Sequence, residues 1–248
     1  MNKIALITGA TSGFGKAIAQ RFSQSGYAVI ITGRRCERLE ELKKELKGEV
    51  LTCCFDVRRL KEVESAIGSL PEKWKHIDVL VNNAGLAAGL APIQDGSVDD
   101  WEQMIDTNVK GLLYMTRTVA PLMAARGHGH IINIGSIAGK EVYPNGNVYC
   151  GSKFAVDAIT KGTRIDLVRH GIKVTQIAPG AAETEFSLVR FKGDKEAAAR
   201  VYDGFIPLAA EDIAEAVYYV TTLPPHVNIN DMVIMPTAQA SSMVFHKK

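Results

Sequence analysis

The stretch Lys3–Ala19, KIALITGATSGFGKAIA, decides how the rest of the chain is read. Ile4-Ala5-Leu6-Ile7 is an unbroken apolar run, which suits a strand covered on both faces of a parallel sheet. Thr8 to Gly15 is a glycine-rich turn, and from Lys16 the apolar spacing becomes helical. The order is therefore strand, turn, helix. Gly9, Gly13 and Gly15 lack a Cβ, so the turn can be tight, a phosphate can approach the backbone, and the helix can lie close to the strand. A diphosphate placed against Thr11, Ser12, Gly13 and Phe14 would meet unpaired N–H groups and the positive end of the helix dipole. The spacing G-x-x-x-G-x-G also fits an ordinary turn rich in Gly and Ser, so the segments around it must decide.

Outward from this turn the same alternation repeats. Strands are predicted at Tyr27–Thr32, Val50–Phe55, Ile77–Val81, His130–Gly135, Ile172–Ile177 and Met232–Met235. Helices are predicted at Glu37–Lys47, Leu60–Leu70, from a Ser97 cap through Met123, at Val148–Leu167 and at Ala210–Val220. The segment 183–205 mixes charge with scattered aromatics and reads as a lid. Six strand-then-helix units and a last strand predict an α/β fold, a doubly wound (Rossmann) three-layer sandwich on a seven-stranded parallel sheet. No linker interrupts it, so residues 1–248 are expected to form a single domain.

Composition narrows the partners. With 29 basic and 27 acidic residues the formal net charge is +2, which gives no reason to expect nucleic acid. No run approaches the length of a membrane span, and MNKIALIT is too short and too soon followed by Gly and Ser to read as a secretory signal. A cytoplasmic protein is the expectation. The four cysteines, Cys36, Cys53, Cys54 and Cys150, form no CxxC pair and no ligand-spaced set with histidine. They read as reduced, mostly buried thiols, and no metal site is expected.

Chemistry is suggested where strands end. After the second strand stand Gly33-Arg34-Arg35, where an acidic residue would bind the ribose of NAD and arginine would accommodate the extra phosphate of NADP. Two guanidinium forks favour NADP. Asn82 and Asn83 end the fourth predicted strand, and buried amides need partners. Asn108 sits inside a helical pattern that its side chain disfavours. Tyr149 and Lys153 are four residues apart on one helix and share a face, so a nearby ammonium would favour the phenolate and give an acid/base pair near neutrality. Ser136, at the end of the fifth strand, lies in the crevice region of such sheets and would orient a substrate oxygen.

Taken together these motifs resemble the short-chain dehydrogenase/reductase family over essentially the whole chain. Thr8–Gly15 matches its cofactor turn, Asn82-Asn83-Ala84-Gly85 its structural motif, and Asn108, Ser136, Tyr149 and Lys153 its catalytic tetrad. The resemblance implies that Tyr149 donates a proton to the carbonyl, that Lys153 holds the nicotinamide ribose and lowers the Tyr149 pKa, that Ser136 polarises the substrate oxygen, and that Asn108 holds a relay water. It further implies cofactor contacts from Asp56, Val57, Asn83, Ala84, Gly85, Pro179, Gly180 and Thr184. Three stretches, Ala10–Gly15, Val227–Asn230 and Thr184–Asp194, resemble the NADP-dependent 3-hydroxy acid dehydrogenases. That narrower likeness implies a small hydroxy acid or oxo acid substrate and a homotetramer. Arg190, set among Leu188, Val189 and Phe191 in the lid, is the candidate counter-charge for the substrate carboxylate. The same motifs leave open another ketone, a sugar or a 3-oxoacyl thioester as substrate, and a non-catalytic dinucleotide-binding scaffold.

Overall fold

A computed structural model describes residues 2–248. Its seven strands are β1 (Ile4–Ile7), β2 (Ala28–Gly33), β3 (Val50–Cys54), β4 (Ile77–Asn82), β5 (Gly129–Ile134), β6 (Ile172–Pro179) and β7 (Asp231–Ile234). They form one sheet in the order β3-β2-β1-β4-β5-β6-β7. Every pairing is parallel. Because the chain runs outward from β1 to β3 and then crosses to β4, the order reverses between β1 and β4, and a crevice opens beyond their carboxyl ends.

The helices are α1 (Gly13–Gln24), α2 (Cys36–Glu45), α3 (Leu60–Gly68), α4 (Val98–Ile105), α5 (Leu112–Ala124), α6 (Asn147–Leu167), α7 (Glu185–Arg190), α8 (Lys195–Arg200) and α9 (Ala210–Thr222). The apolar run of β1 is explained by two cores. Ala5 and Ile7 face a cluster with Ile18 and Phe22 of α1 and Ile213 and Val217 of α9. Ile4 and Leu6 face the opposite cluster, with Val63 and Ile67 of α3 and Met115, Val119 and Met123 of α5. A third, smaller cluster joins Leu86, Ala87, Met104, Ala138 and Tyr149 above the sheet. Leu86, Ala138 and Tyr149 of this cluster line the crevice.

Two differences from the sequence reading bear on the site. The helix expected from Ser97 to Met123 is interrupted: Ser97 caps α4 by accepting from the Asp100 N–H, but Asp106–Gly111 is a π turn before α5 begins. The reading of the cysteines as reduced and mostly buried is overturned. Cys36 and Cys54 are joined in a disulfide with 5.3 Å between their Cα atoms, both are exposed, Cys53 is half-buried, and only Cys150 is buried. The cause is register: Gly33 pairs with Cys54 across β2 and β3, so the first residue of α2 turns back beside the end of β3. The segment read as a lid carries α7 and α8, of which α7 reaches the crevice.

Candidate active site

The glycine-rich turn is stitched to the end of β4. Thr8 Oγ1 accepts from the N–H groups of Asn83 and Ala84, both at 2.9 Å, and Asn83 Nδ2 donates to the carbonyls of Thr8 (2.8 Å) and Gly9 (3.2 Å). Gly9 has φ +67°, and a Cβ there would come within 3.0 Å of Ala84 Cα. At Gly15 a Cβ would collide with the Gly9 carbonyl and the Asn83 amide, so no side chain fits without reopening the turn. Ser12 precedes α1 without a side-chain capping bond, and the first-turn N–H groups are left for a ligand. Asn82 points the other way, donating from Nδ2 to Thr116 Oγ1 and Asn133 Oδ1, both at 2.9 Å. One asparagine pins the turn and its neighbour pins the sheet.

The crevice is a cleft of about 500 Å³. At one end it is lined by Arg34, Arg35, Asp56 and Val57, in the middle by Gly9, Thr11, Ser12, Gly13, Phe14, Asn83, Ala84 and Gly85, and at the other end by Ser136, Tyr149, Lys153, Pro179, Gly180, Thr184 and Arg190. Of the residues expected from sequence, only Gly15 and Asn108 stand behind its wall.

At the β2 end, Arg35 is already engaged. Its Nε and Nη2 donate to Thr11 Oγ1 at 3.1 and 2.7 Å, Nη2 also to Ser12 Oγ at 2.9 Å, and Nη1 pairs with Glu185 at 3.1 Å. Arg34 forms no ion pair among the described residues and leaves its fork to the cleft. Burial pushes the Asp56 carboxyl up, but hydrogen bonds and charge from Arg58, helped by Arg34, hold it below the usual carboxylate range.

At the other end Tyr149 and Lys153 lie on one face of α6, as their spacing requires, and both are buried. Lys153 Nζ donates to the Ile134 carbonyl at 2.9 Å and stands 6.0 Å from the Tyr149 ring centroid. Burial lowers its pKa to about 8. Tyr149 departs from expectation. Its pKa is raised rather than lowered, because burial and the neighbouring Tyr143 outweigh the Arg190 charge and the Ser136 hydroxyl. The Lys153 ammonium, which donates to Ile134, does not reverse this. Ser136 Oγ accepts from Ala138 N at 3.0 Å, which fixes the hydroxyl at the mouth of β5.

Asn108 lies in the π turn. Its side chain accepts from Leu86 N at 2.8 Å and donates to Leu86 O at 2.8 Å and to Ser152 Oγ at 3.0 Å. The amide thus clamps the loop after β4 to α6, which explains why a residue with poor helical propensity is placed there. Arg190, at the end of α7, lies over three rings. Its guanidinium carbon is 4.9 Å from the centroid of Tyr149, 5.2 Å from Phe186 and 5.6 Å from Tyr143. Nη2 donates to the Tyr143 hydroxyl at 2.5 Å, while Nε is buried and unpartnered. Of the neighbouring cations in this segment, Lys192 is paired with Asp100 at 2.9 Å and Lys195 is exposed.

Tyr143, Phe186, Glu185 and Gln239 also line the cleft and were not singled out from sequence. Gln239 accepts from Ala181 N at 2.8 Å and holds the backbone just after Gly180. Tyr143 had one visible signal, an aromatic in the loop immediately before α6. Gln239 and Glu185 had none, because each reaches the site through a long-range contact.

The model of the short chain dehydrogenases matches residues 3–194. An NADP-dependent 3-hydroxy acid dehydrogenase of Salmonella typhimurium is 55% identical over 238 residues, 96% of each chain. Sulfoacetaldehyde reductase 2 of Chromohalobacter salexigens is 50% identical over 245 residues, 98% of this chain and 97% of its own. Among solved structures, the closed form of serine dehydrogenase complexed with NADP+ superposes with a TM-score of 0.95 at 51% identity, covering 99% of both chains. Serine dehydrogenase from Escherichia coli superposes with a TM-score of 0.85 at 48% identity, covering 96% of this chain and 99% of that one. The likeness runs along nearly the whole length of these proteins, and the chain belongs to the short-chain dehydrogenase family.

Proposed function

We propose that the protein is an NADP-dependent oxidoreductase that interconverts a small 3-hydroxy acid, of the serine, allo-threonine or 3-hydroxypropionate type, with its 3-oxo acid. The observation that carries this reading is Arg190: a guanidinium without an acidic partner among the described residues, partly desolvated among aromatic rings and set over the ring of Tyr149. A half-buried cation beside an acid/base residue suits a substrate that has an anion a few bonds from its reacting oxygen.

The cleft fits NADP. The start of α1, with no side-chain cap at Ser12, would offer its first-turn N–H groups to a diphosphate in the cleft, and Arg34 with Arg35 would hold the 2′-phosphate. Asp56 and Val57 would flank the adenine, and Asn83, Ala84 and Gly85 the adenosine-side ribose. Lys153 would hold the nicotinamide ribose, with Pro179, Gly180 and Thr184 beside the ring. When bound, the nicotinamide gives or accepts the hydride. Tyr149, a phenol with a raised pKa, carries its proton at neutral pH and gives it to the substrate oxygen during reduction. Ser136 donates a hydrogen bond to that oxygen, and Asn108 keeps the Leu86 loop and α6 in register behind it.

The test is a panel of hydroxy acids and uncharged alcohols with NADP, followed by NADPH absorbance, for wild type and Arg190→Ala. The KM for the acid is expected to rise strongly in the variant and that for the alcohol to be spared. Equal effects on both would mean that the anion is held elsewhere. The likeness to a sulfoacetaldehyde reductase favours a second reading, in which the anion is a sulfonate, since a guanidinium fork accepts two oxygens from either group. Isethionate in the same panel separates the two.

A homotetramer and a cytoplasmic location belong to the same proposal. The first is supported by exposed apolar side chains on or just after the outer helices, Phe154, Ile165 and Val168 among them, and light scattering tests it. The second would expose the Cys36–Cys54 bond to a reducing compartment, and thiol labelling of protein taken from intact cells tests that.

A further inference from the structure

One short helix touches both ends of the cleft. Its first residue, Glu185, is gripped by α2: one carboxylate oxygen accepts from Arg35 Nη1 at 3.1 Å, and Arg38 Nη1 reaches the two oxygens at 3.0 and 3.2 Å. Its last residue, Arg190, lies over Tyr149. The helix is six residues long, so a shift at one end is carried to the other. Arg190 is further fixed by its carbonyl, which accepts from Gly89 N at 3.0 Å. Glu185 is the one acid that pairs with either Arg35 or Arg38 among the described residues. Glu185 also lines the cleft with Arg34 and Arg35, which would hold the cofactor's 2′-phosphate.

We infer that Glu185 is a positioning residue that seats α7 so that Arg190 meets the substrate anion, and that it does so at the expense of NADP affinity because its charge opposes the 2′-phosphate. This rests on the reading of Arg34 and Arg35 as the phosphate holders and of Arg190 as the anion holder. The two effects have opposite signs. Removing the negative charge frees Arg35 to act on the phosphate, and releases the start of α7 from Arg38 of α2. The Glu185 and Arg35 side chains are each 43% exposed, so both effects are modest and weaken with salt.

Glu185→Gln is expected to tighten NADP by about threefold in fluorescence titration, to leave NAD unchanged, and to raise the KM for the hydroxy acid by about threefold to tenfold with little change in kcat. An uncharged alcohol should keep its KM, and at 0.5 M salt the NADP difference should shrink towards nothing. A merely structural role would weaken cofactor and substrate together, and that outcome overturns the inference. Unchanged NADP affinity overturns its electrostatic half, and unchanged KM its positioning half. The underlying readings fail separately. Wild type that binds NAD as tightly as NADP, or Arg190→Ala that leaves the acid's KM alone, removes the phosphate or anion assignment whatever Glu185→Gln does.

Discussion

Replacing Lys153 by methionine should make the protein more stable and inactive. Lys153 is 7% exposed, and its ammonium has one hydrogen-bond partner, the Ile134 carbonyl at 2.9 Å. In the unfolded chain the side chain keeps its proton to about pH 10.5, whereas burial brings the folded value to about 8. Holding the charge inside therefore costs about 3 kcal/mol of folding free energy at pH 7. The sign follows from proton binding: the unfolded state binds the proton more tightly, so the penalty is complete below pH 8 and is recovered as pH rises from about 8 to 10.5. Methionine keeps the apolar stem and removes the charge, but leaves the Ile134 carbonyl without its donor, a loss of about 1 kcal/mol. The net gain at pH 7 is about 2 kcal/mol, which for a domain of this size raises Tm by roughly 4–8 °C. Thermal and urea unfolding of nucleotide-free protein at pH 7 and pH 10.5, taken as variant minus wild type, read it directly. The gain should vanish or turn into a loss of about 1 kcal/mol at pH 10.5. A variant less stable than wild type at pH 7, or a difference that ignores pH, would refute the claim that a buried ammonium is being carried at a cost.

Three further outcomes are expected. Tyr149→Phe should bind NADP normally and lose about 10² to 10⁴ in turnover, since only the proton donor is gone; NADPH absorbance with nucleotide titration checks it, and wild-type turnover would remove Tyr149 from its role. Replacing Arg34 and Arg35 together should weaken NADP far more than NAD, each charge-assisted bond being worth about 1.5 to 3 kcal/mol; equal losses would show that neither fork reads the phosphate. Cys36→Ser should lower unfolding free energy by about 3 kcal/mol in oxidising buffer, as expected for a crosslink across a short loop, and by nothing once dithiothreitol is present; a difference that survives reduction would assign the loss to packing instead.

What could be read before folding, and what could not, divides by range. Ile4–Ile7 and Gly9–Gly15 form a local signal, since an apolar run, a turn that excludes Cβ atoms and a helical spacing all lie within one unit. The same holds for Tyr149 and Lys153, whose shared face follows from helix geometry alone. The direction of the Tyr149 pKa was misjudged for the opposite reason. Spacing puts an ammonium on the same face, but it does not say that the amine turns to Ile134 or that Tyr143 and burial dominate the phenol. Cys36 and Cys54 meet because β2 and β3 are neighbours, and a separation of 18 residues carries no pattern of its own. Arg35 was placed correctly at the end of β2, but its attachment to Glu185 spans 150 positions and depends on how α7 folds back.

The π turn at Asp106–Gly111 sets which change in length the site can bear. A π turn holds one residue more than an α turn, so the excess is accommodated within the helix and not in a loop. Excising a single residue there would let the segment relax into ordinary helix, and the fold would survive. The helices on either side would keep their faces, because the extra residue is taken up within that one turn, but the residues of the turn itself would be re-spaced. Asn108 would then lose its bonds to Leu86 and Ser152 while Met115 and Val119 stay on the sheet. The segment thus behaves as a frame-keeping spacer, indifferent to many substitutions and intolerant of a one-residue deletion. Such a deletion should give a protein with native helical circular dichroism and no turnover, and a deletion variant that still reduced NADP would show the extra residue to be incidental.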